Sequence, residues 1–183
     1  MDLDEYKALV AKVLRDSISP TSAKSPISVF ENLGTQHASV VIEAMLRSAQ
    51  TSILINSEKL NRAAFLPELL QAFPLRAPQG TVRIIVERRD VFTDPESALC
   101  GVQGLVTPDK FEVKLAKGPS QHFLVVDTSL VRMETDHKAM KAMVSFGASA
   151  LAVHATNLFD LLWNNATALD GAVPAGNVTP LHP

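Results

Sequence analysis

Pro119-Ser120-Gln121-His122-Phe123-Leu124-Val125-Val126-Asp127 is the stretch on which the fold turns. Phe123 to Val126 are four apolar residues in a row, stopped by a turn-forming Asp127-Thr128-Ser129. They read as a short strand buried on both faces, which belongs in the middle of a sheet. Ser120, Gln121 and His122 precede it directly, so a hydroxyl, an amide and an imidazole share the mouth of a central strand.

Working outward, Leu130 to Met133 returns from the turn as a second strand, and Met140 to Phe146 gives a third before Gly147 turns the chain into a helix. That helix carries Leu151, Ala155, Leu158, Leu162 and the single Trp163 at helical spacing. Upstream, Lys110 to Leu115 alternates strictly, with Phe111, Val113 and Leu115 toward the core. Val82 to Val86 and Ile53 to Ile55 are further strands. Ala38, Val41, Ile42, Met45 and Ala49 mark a helix, as do Leu66, Leu69, Leu70 and Phe73, with Pro67 suited to the first turn. The turn Pro78-Gln79-Gly80 closes the latter, and Thr93-Asp94-Pro95-Glu96 predicts another helix start. The reading is an α/β domain over residues 29–165. An amphipathic helix over 1–16 and a Ser/Pro-rich linker over 17–28 precede it, and a flexible tail over 166–183 follows.

Composition narrows the function classes. Apolar residues at 46% and charged residues at 20% suit an ordinary globular chain of 183 residues, enough for one sizeable core. The net charge of −2 offers no global field for nucleic acid or membranes. A lone Cys100 excludes an internal disulfide and a Cys-rich zinc site. No secretory leader or apolar run of membrane-spanning length is present, so a cytoplasmic location is expected.

The element order and the motif strand together resemble a single phospholipase D-like domain, over about Val29 to Asn165. The closing Phe159-Asp160-Leu161-Leu162-Trp163 is similar to the terminal helix of that family. The resemblance implies a mixed sheet flanked by helices, here preceded by the extra N-terminal helix. It also implies two such domains meeting at one phosphodiester site, within a chain or as a homodimer. The family writes the motif strand as His-x-Lys-x4-Asp. In that register Ser120 stands at the nucleophilic His, His122 at the phosphate-holding Lys, and Asp127 at the Asp. An unactivated hydroxyl is a poor nucleophile, and a neutral imidazole is a poor anchor for phosphate. Arg132-Met133-Glu134-Thr135-Asp136 stands where the family shows a Gly-Ser and Asn cluster, and its two carboxylates repel phosphate.

The expectation is therefore a non-catalytic phospholipase D-like binding or assembly module. Its remnant pocket is Ser120, His122 and Asp127, and its partner is a second copy or another protein, with a phosphate-containing ligand or nucleic acid as further candidates. Two alternatives stand beside it: a residual phosphodiesterase or nuclease acting as a homodimer through His122, and a DNA-binding regulator without chemistry. Arg83, Arg88, Arg89, Lys110 and Lys114 form a candidate anion patch, against which interleaved acids favour a solvated face. The five histidines match no ligand spacing, so no metal or cofactor is expected. His137 reads as a surface or capping residue, and His154 as a residue at the edge of the core.

Overall fold

In the computed structural model the described residues are 1–18, 28–100, 102, 109–147 and 149–169. They form, in chain order, α1 Leu3–Ile18, β1 Ser28–Leu33, α2 Thr35–Ser48, β2 Ser52–Ser57, α3 Pro67–Arg76 and β3 Thr81–Val86. There follow β4 Phe111–Leu115, β5 Phe123–Val126, β6 Leu130–Asp136, β7 Lys141–Phe146, α4 Ala150–Asn165 and β8 Thr167–Ala168. One mixed sheet joins the strands in the order β1-β7-β6-β5-β2-β3-β4-β8. The β2–β3 and β3–β4 pairs are parallel and the remaining neighbours antiparallel.

The motif strand is central, and its four residues are all buried. Because side chains alternate across a strand, Leu124 and Val126 enter one core and Phe123 and Val125 the other. The first core lies under α1, α2 and α3, where Val10, Ile42, Met45, Leu70 and Phe73 meet Ile53, Ile55 and Ile84. The second lies under α4 alone, where Ala152, Ala155, Phe159 and Trp163 meet Leu54, Ile85 and Val131. Each large apolar side chain so buried contributes about 1.5–3 kcal/mol. Among the described residues no helix is long and apolar enough to cross a membrane.

Several boundaries differ from the sequence reading. The linker ends in β1, which pairs with β7 from Ser28↔Phe146 to Leu33↔Lys141; residues 19–27 lie outside the described set. No helix starts at Thr93. Asp94 Oδ1 accepts from Glu96 N at 2.9 Å, and Ala98 N donates to Leu60 O at 2.7 Å, so local side-chain and long-range bonds hold this segment in turns. The segment read as a tail begins with β8, which pairs with β4 and leads into buried Leu169; residues 170–183 lie outside the described set. Gly80 closes the turn after α3 because a Cβ there would stand 2.6 Å from the Phe73 ring.

The N-terminal helix packs on the domain rather than standing free. Asp2 and Glu5 cap it reciprocally, each carboxylate accepting from the other's backbone N–H. Tyr6 is buried and stacks on the His37 ring, with centroids 3.9 Å apart. Its hydroxyl has no partner among the described residues. Burial pushes its pKa up to about 12, against a smaller opposing pull from Arg132. Raised above its unfolded value, the phenol adds stability in full below pH ~10, and this is lost as pH rises through ~12. Tyr6 is the single tyrosine of the chain. Ultraviolet phenolate titration is therefore expected to show one midpoint near 12, and Tyr6→Phe is expected to remove the alkaline loss of stability attributable to this group.

Candidate functional site

Parallel β2 and β3 end side by side, and the chain leaves them through Glu58 and Glu87, whose backbones join at Glu87 N→Glu58 O, 3.0 Å. Antiparallel β5 starts at this same edge, so His122 arrives there, and Glu134 N donates to His122 O at 2.9 Å. A register shift between Glu134 and Asp136 ends the regular pairing of β6 with β7 and precedes His137. The result is an open cleft of about 630 Å³ at the carboxyl ends of the parallel strands, a usual place for a site in an α/β sheet. Glu58, Glu87, Ser120, His122, Glu134 and His137 line it.

The polar groups are interlocked. Glu87 Oε1 accepts from Ser120 N at 2.7 Å and from Ser120 Oγ at 3.2 Å, and faces His122 Nε2 at 3.2 Å. Asn56 Nδ2 donates to Ser120 Oγ at 2.8 Å. His137 Nε2 lies 3.1 Å from Glu58 Oε2. Behind them Arg132, 2% exposed, donates to Glu134 Oε1 at 3.0 Å, to Asn32 Oδ1 at 2.9 Å and to Met140 O at 3.1 Å. The inward faces of the imidazoles converge. His122 Nδ1 is 2.9 Å from His137 Nδ1, and Glu134 Oε2 is 2.8 Å from His137 Nδ1 and 3.4 Å from His122 Nδ1.

These contacts set the charge states. Burial alone would lower the His122 pKa, but Glu134 and Glu87 outweigh it and hold it above the ordinary imidazole value. Burial alone would raise the Glu134 carboxyl, but His122, His137 and Arg132 pull it down to about 2. Burial lowers the Arg132 pKa, with Glu134 opposing.

The motif residues part company. Ser120 and His122 are in the cleft, but Asp127 stands at the other end of β5, about 16 Å along the strand from His122. There it accepts from Gln50 N, Thr51 N, Thr51 Oγ1 and Ser52 N at 2.7–2.9 Å, tying the β5–β6 turn to the start of β2. It is a brace for the sheet, outside the pocket.

The basic residues do not gather into one patch. Arg83 and Lys114 lie over the Trp163 ring. Arg88 pairs with Asp90 and Asp94, and Lys110 donates to Pro78 O. Arg89 is exposed beside Arg88, and His154 is exposed on α4 rather than at the core edge.

Sequence reasoning did not assign Glu58, Glu87 or Arg132 to the site, and it read His137 as a surface or capping residue rather than as part of the cleft, where it sits 53% exposed. The signals available were the carboxylates directly following two strands and an arginine inside an apolar strand.

No family model matches the chain, and no curated protein matches it in sequence. Solved structures do match its fold. Nuc from Salmonella typhimurium, a phospholipase D family member, superposes with a TM-score of 0.59 at 17% identity, covering 78% of this chain and 97% of its own. The chain has a phospholipase D-like fold. NucT from Helicobacter pylori gives a TM-score of 0.56 at 13% identity over 77% of this chain and 99% of its own. An archaeal chromatin protein, TrmBL2, whose structure shows a novel mode of DNA binding, gives 0.62 at 15% identity over 90% of this chain. The present chain spans 62% of that protein's length.

The brace can be tested apart from the cleft. Asp127→Ala is expected to lower the unfolding free energy in urea by about 2 kcal/mol, the scale of hydrogen bonds to a charged group. Thr128, a β-branched residue held at φ 55° in the same turn, is expected to gain roughly 0.5–1 kcal/mol on Thr128→Gly.

Proposed function

We propose that the chain is a non-catalytic phospholipase D-like module that works by binding and assembly in the cytoplasm. One observation carries the reading: the cleft where that fold would hold a phosphodiester is lined by Glu58, Glu87 and Glu134. Three carboxylates around a phosphate cost several kcal/mol in a site partly shielded from water. No lysine stands at the motif position to offset them, and Arg132 behind the cleft, paired with Glu134, offsets one of the three.

The reacting groups are also occupied. The Ser120 hydroxyl sits between Asn56 and Glu87, and a carboxylate is too weak a base to make an alkoxide from it. His122 has both ring nitrogens engaged, one toward Glu87 and one toward His137 and Glu134. The same contacts speak against the residual phosphodiesterase through His122.

Assembly is supported at the other end of the sheet. β1 is an edge strand, and its Val29 and Leu33 are 58% and 61% exposed, next to half-exposed Met143 on β7. Among the described residues no strand pairs with the outer edge of β1, and such an edge invites another strand. The partner proposed is a second copy of this chain, joined through β1.

A second reading, DNA binding without chemistry, is favoured by the likeness to the archaeal chromatin protein. That match takes in more of the chain than β1 to β8 alone supplies. The scattered basic side chains weigh against it.

The purified chain is expected to leave an activated phosphodiester intact and to sediment as a dimer, with Leu33→Asp shifting it to monomer. Turnover abolished by His122→Ala would overturn the non-catalytic reading. A gel shift of duplex DNA that weakens steeply with salt would favour the second.

A further inference from the structure

The inner face of the cleft poses a problem in proton placement. Carboxylates accept hydrogen bonds and do not donate them, so Glu87 and Glu58 each fix a proton on the outer Nε2 of His122 and His137. A neutral imidazole protonated at Nε2 carries a lone pair at Nδ1. Arg132 occupies Glu134 Oε1, which leaves Oε2 facing inward. Three lone pairs, on two nitrogens and one oxygen, thus point at one another across 2.8, 2.9 and 3.4 Å. Such a triangle calls for positive charge among the three atoms, and either a proton on one Nδ1 or a metal ion supplies it.

We propose that His122, Glu134 and His137 form a divalent transition-metal site, with zinc as the natural occupant. Among the described residues theirs is the grouping of three metal-ligating side chains whose donor atoms lie mutually close. Donors at ~2.0–2.1 Å from tetrahedral zinc are about 3.3 Å apart, close to the separations observed. Two imidazoles and a carboxylate suit zinc and its borderline neighbours better than calcium or magnesium, which prefer all-oxygen shells.

The surroundings match as well as the donors. Each histidine is oriented by a carboxylate on its far nitrogen, and the ligating carboxylate is oriented by a buried guanidinium, the outer contacts that fix tautomer and direction in metal sites. Glu58, Glu87 and Glu134 against Arg132 leave two negative charges around the cleft, which a divalent ion neutralises. His137 is 53% exposed, so ions can enter, and the three protein donors leave a fourth position toward the cleft for a water or a donor from a bound partner. Pairing through β1 uses none of the three ligands, so zinc uptake and dimerisation are read separately, whereas a bound ion offsets the acidic lining on which the phosphate-excluding reading rests.

The test uses the full chain, free of any affinity tag and stripped with a chelator. Zinc is expected to bind at one per chain and to raise the melting temperature. Cobalt is expected to give the intense visible bands of a four-coordinate ion. His137→Ala, at an exposed position, is expected to weaken zinc binding at least 100-fold, and Glu58→Gln about 10- to 100-fold. His154→Ala, on a remote helix, is expected to change nothing. Should His137→Ala fail to fold, Glu58→Gln carries the test. A stripped wild-type chain that takes up neither metal at equimolar concentration, or a folded His137→Ala or Glu58→Gln chain that binds zinc as tightly as wild type, overturns the proposal.

Discussion

The buried guanidinium of Arg132 is the constraint around which one end of this molecule is arranged. Removing an isolated charge from water costs many kcal/mol, so it persists only where neighbours replace the lost solvent. Here the replacements come from three places: Asn32 on β1, the Met140 carbonyl before β7, and Glu134 on the same strand as the arginine. Satisfying one side chain therefore fixes the position of β1, the β6–β7 turn and the Glu134 carboxylate together. The carboxylate, held by one oxygen, presents the other to both histidines. Geometry in the cleft is inherited from a charge that never reaches it.

Inheritance of this kind explains what the sequence could and could not reveal. Phe123 to Val126 announced a central strand because four apolar residues have no solvent-facing member, and the strict alternation at Phe111, Val113 and Leu115 announced β4. Local pattern sufficed for both. β1 escaped notice because Glu31 and Asn32 interrupt its apolar residues, and the reason for Asn32 lies a hundred positions away at Arg132. Asp94-Pro95-Glu96 has the composition of a helix start, but Leu60 captures the backbone two residues on. The cleft fared likewise. Ser120 and His122 were legible from the motif strand, whereas Glu58 and Glu87 look like ordinary polar residues after strands until the parallel pairing of β2 and β3 sets them side by side. Asp127 was legible as a motif position, yet its partners at Gln50, Thr51 and Ser52 belong to another part of the chain.

The sheet order, the central strand and the terminal helix packing Phe159 and Trp163 against it are those of a phospholipase D-like scaffold. The cleft on that scaffold has acidic walls, a hydroxyl between an amide and a carboxylate, and paired imidazoles. A fold holds its shape through the two apolar clusters, which leave the polar rim free to change.

The pairing of β1 with β7 also bears on how the polypeptide reaches its native form. Ser28 meets Phe146, and Leu33 meets Lys141, so the edge strand nearest the N-terminus has its hydrogen-bonding neighbour close to the C-terminal helix. During synthesis β1 emerges well before its partner β7. The closure cost grows only slowly with loop length, but pairing residues so far apart in sequence slows assembly. Asn32 and Met140 come together at Arg132 only when that closure occurs. Formation of the β1–β7 pair and the anchoring of Glu134 through Arg132 are thereby linked.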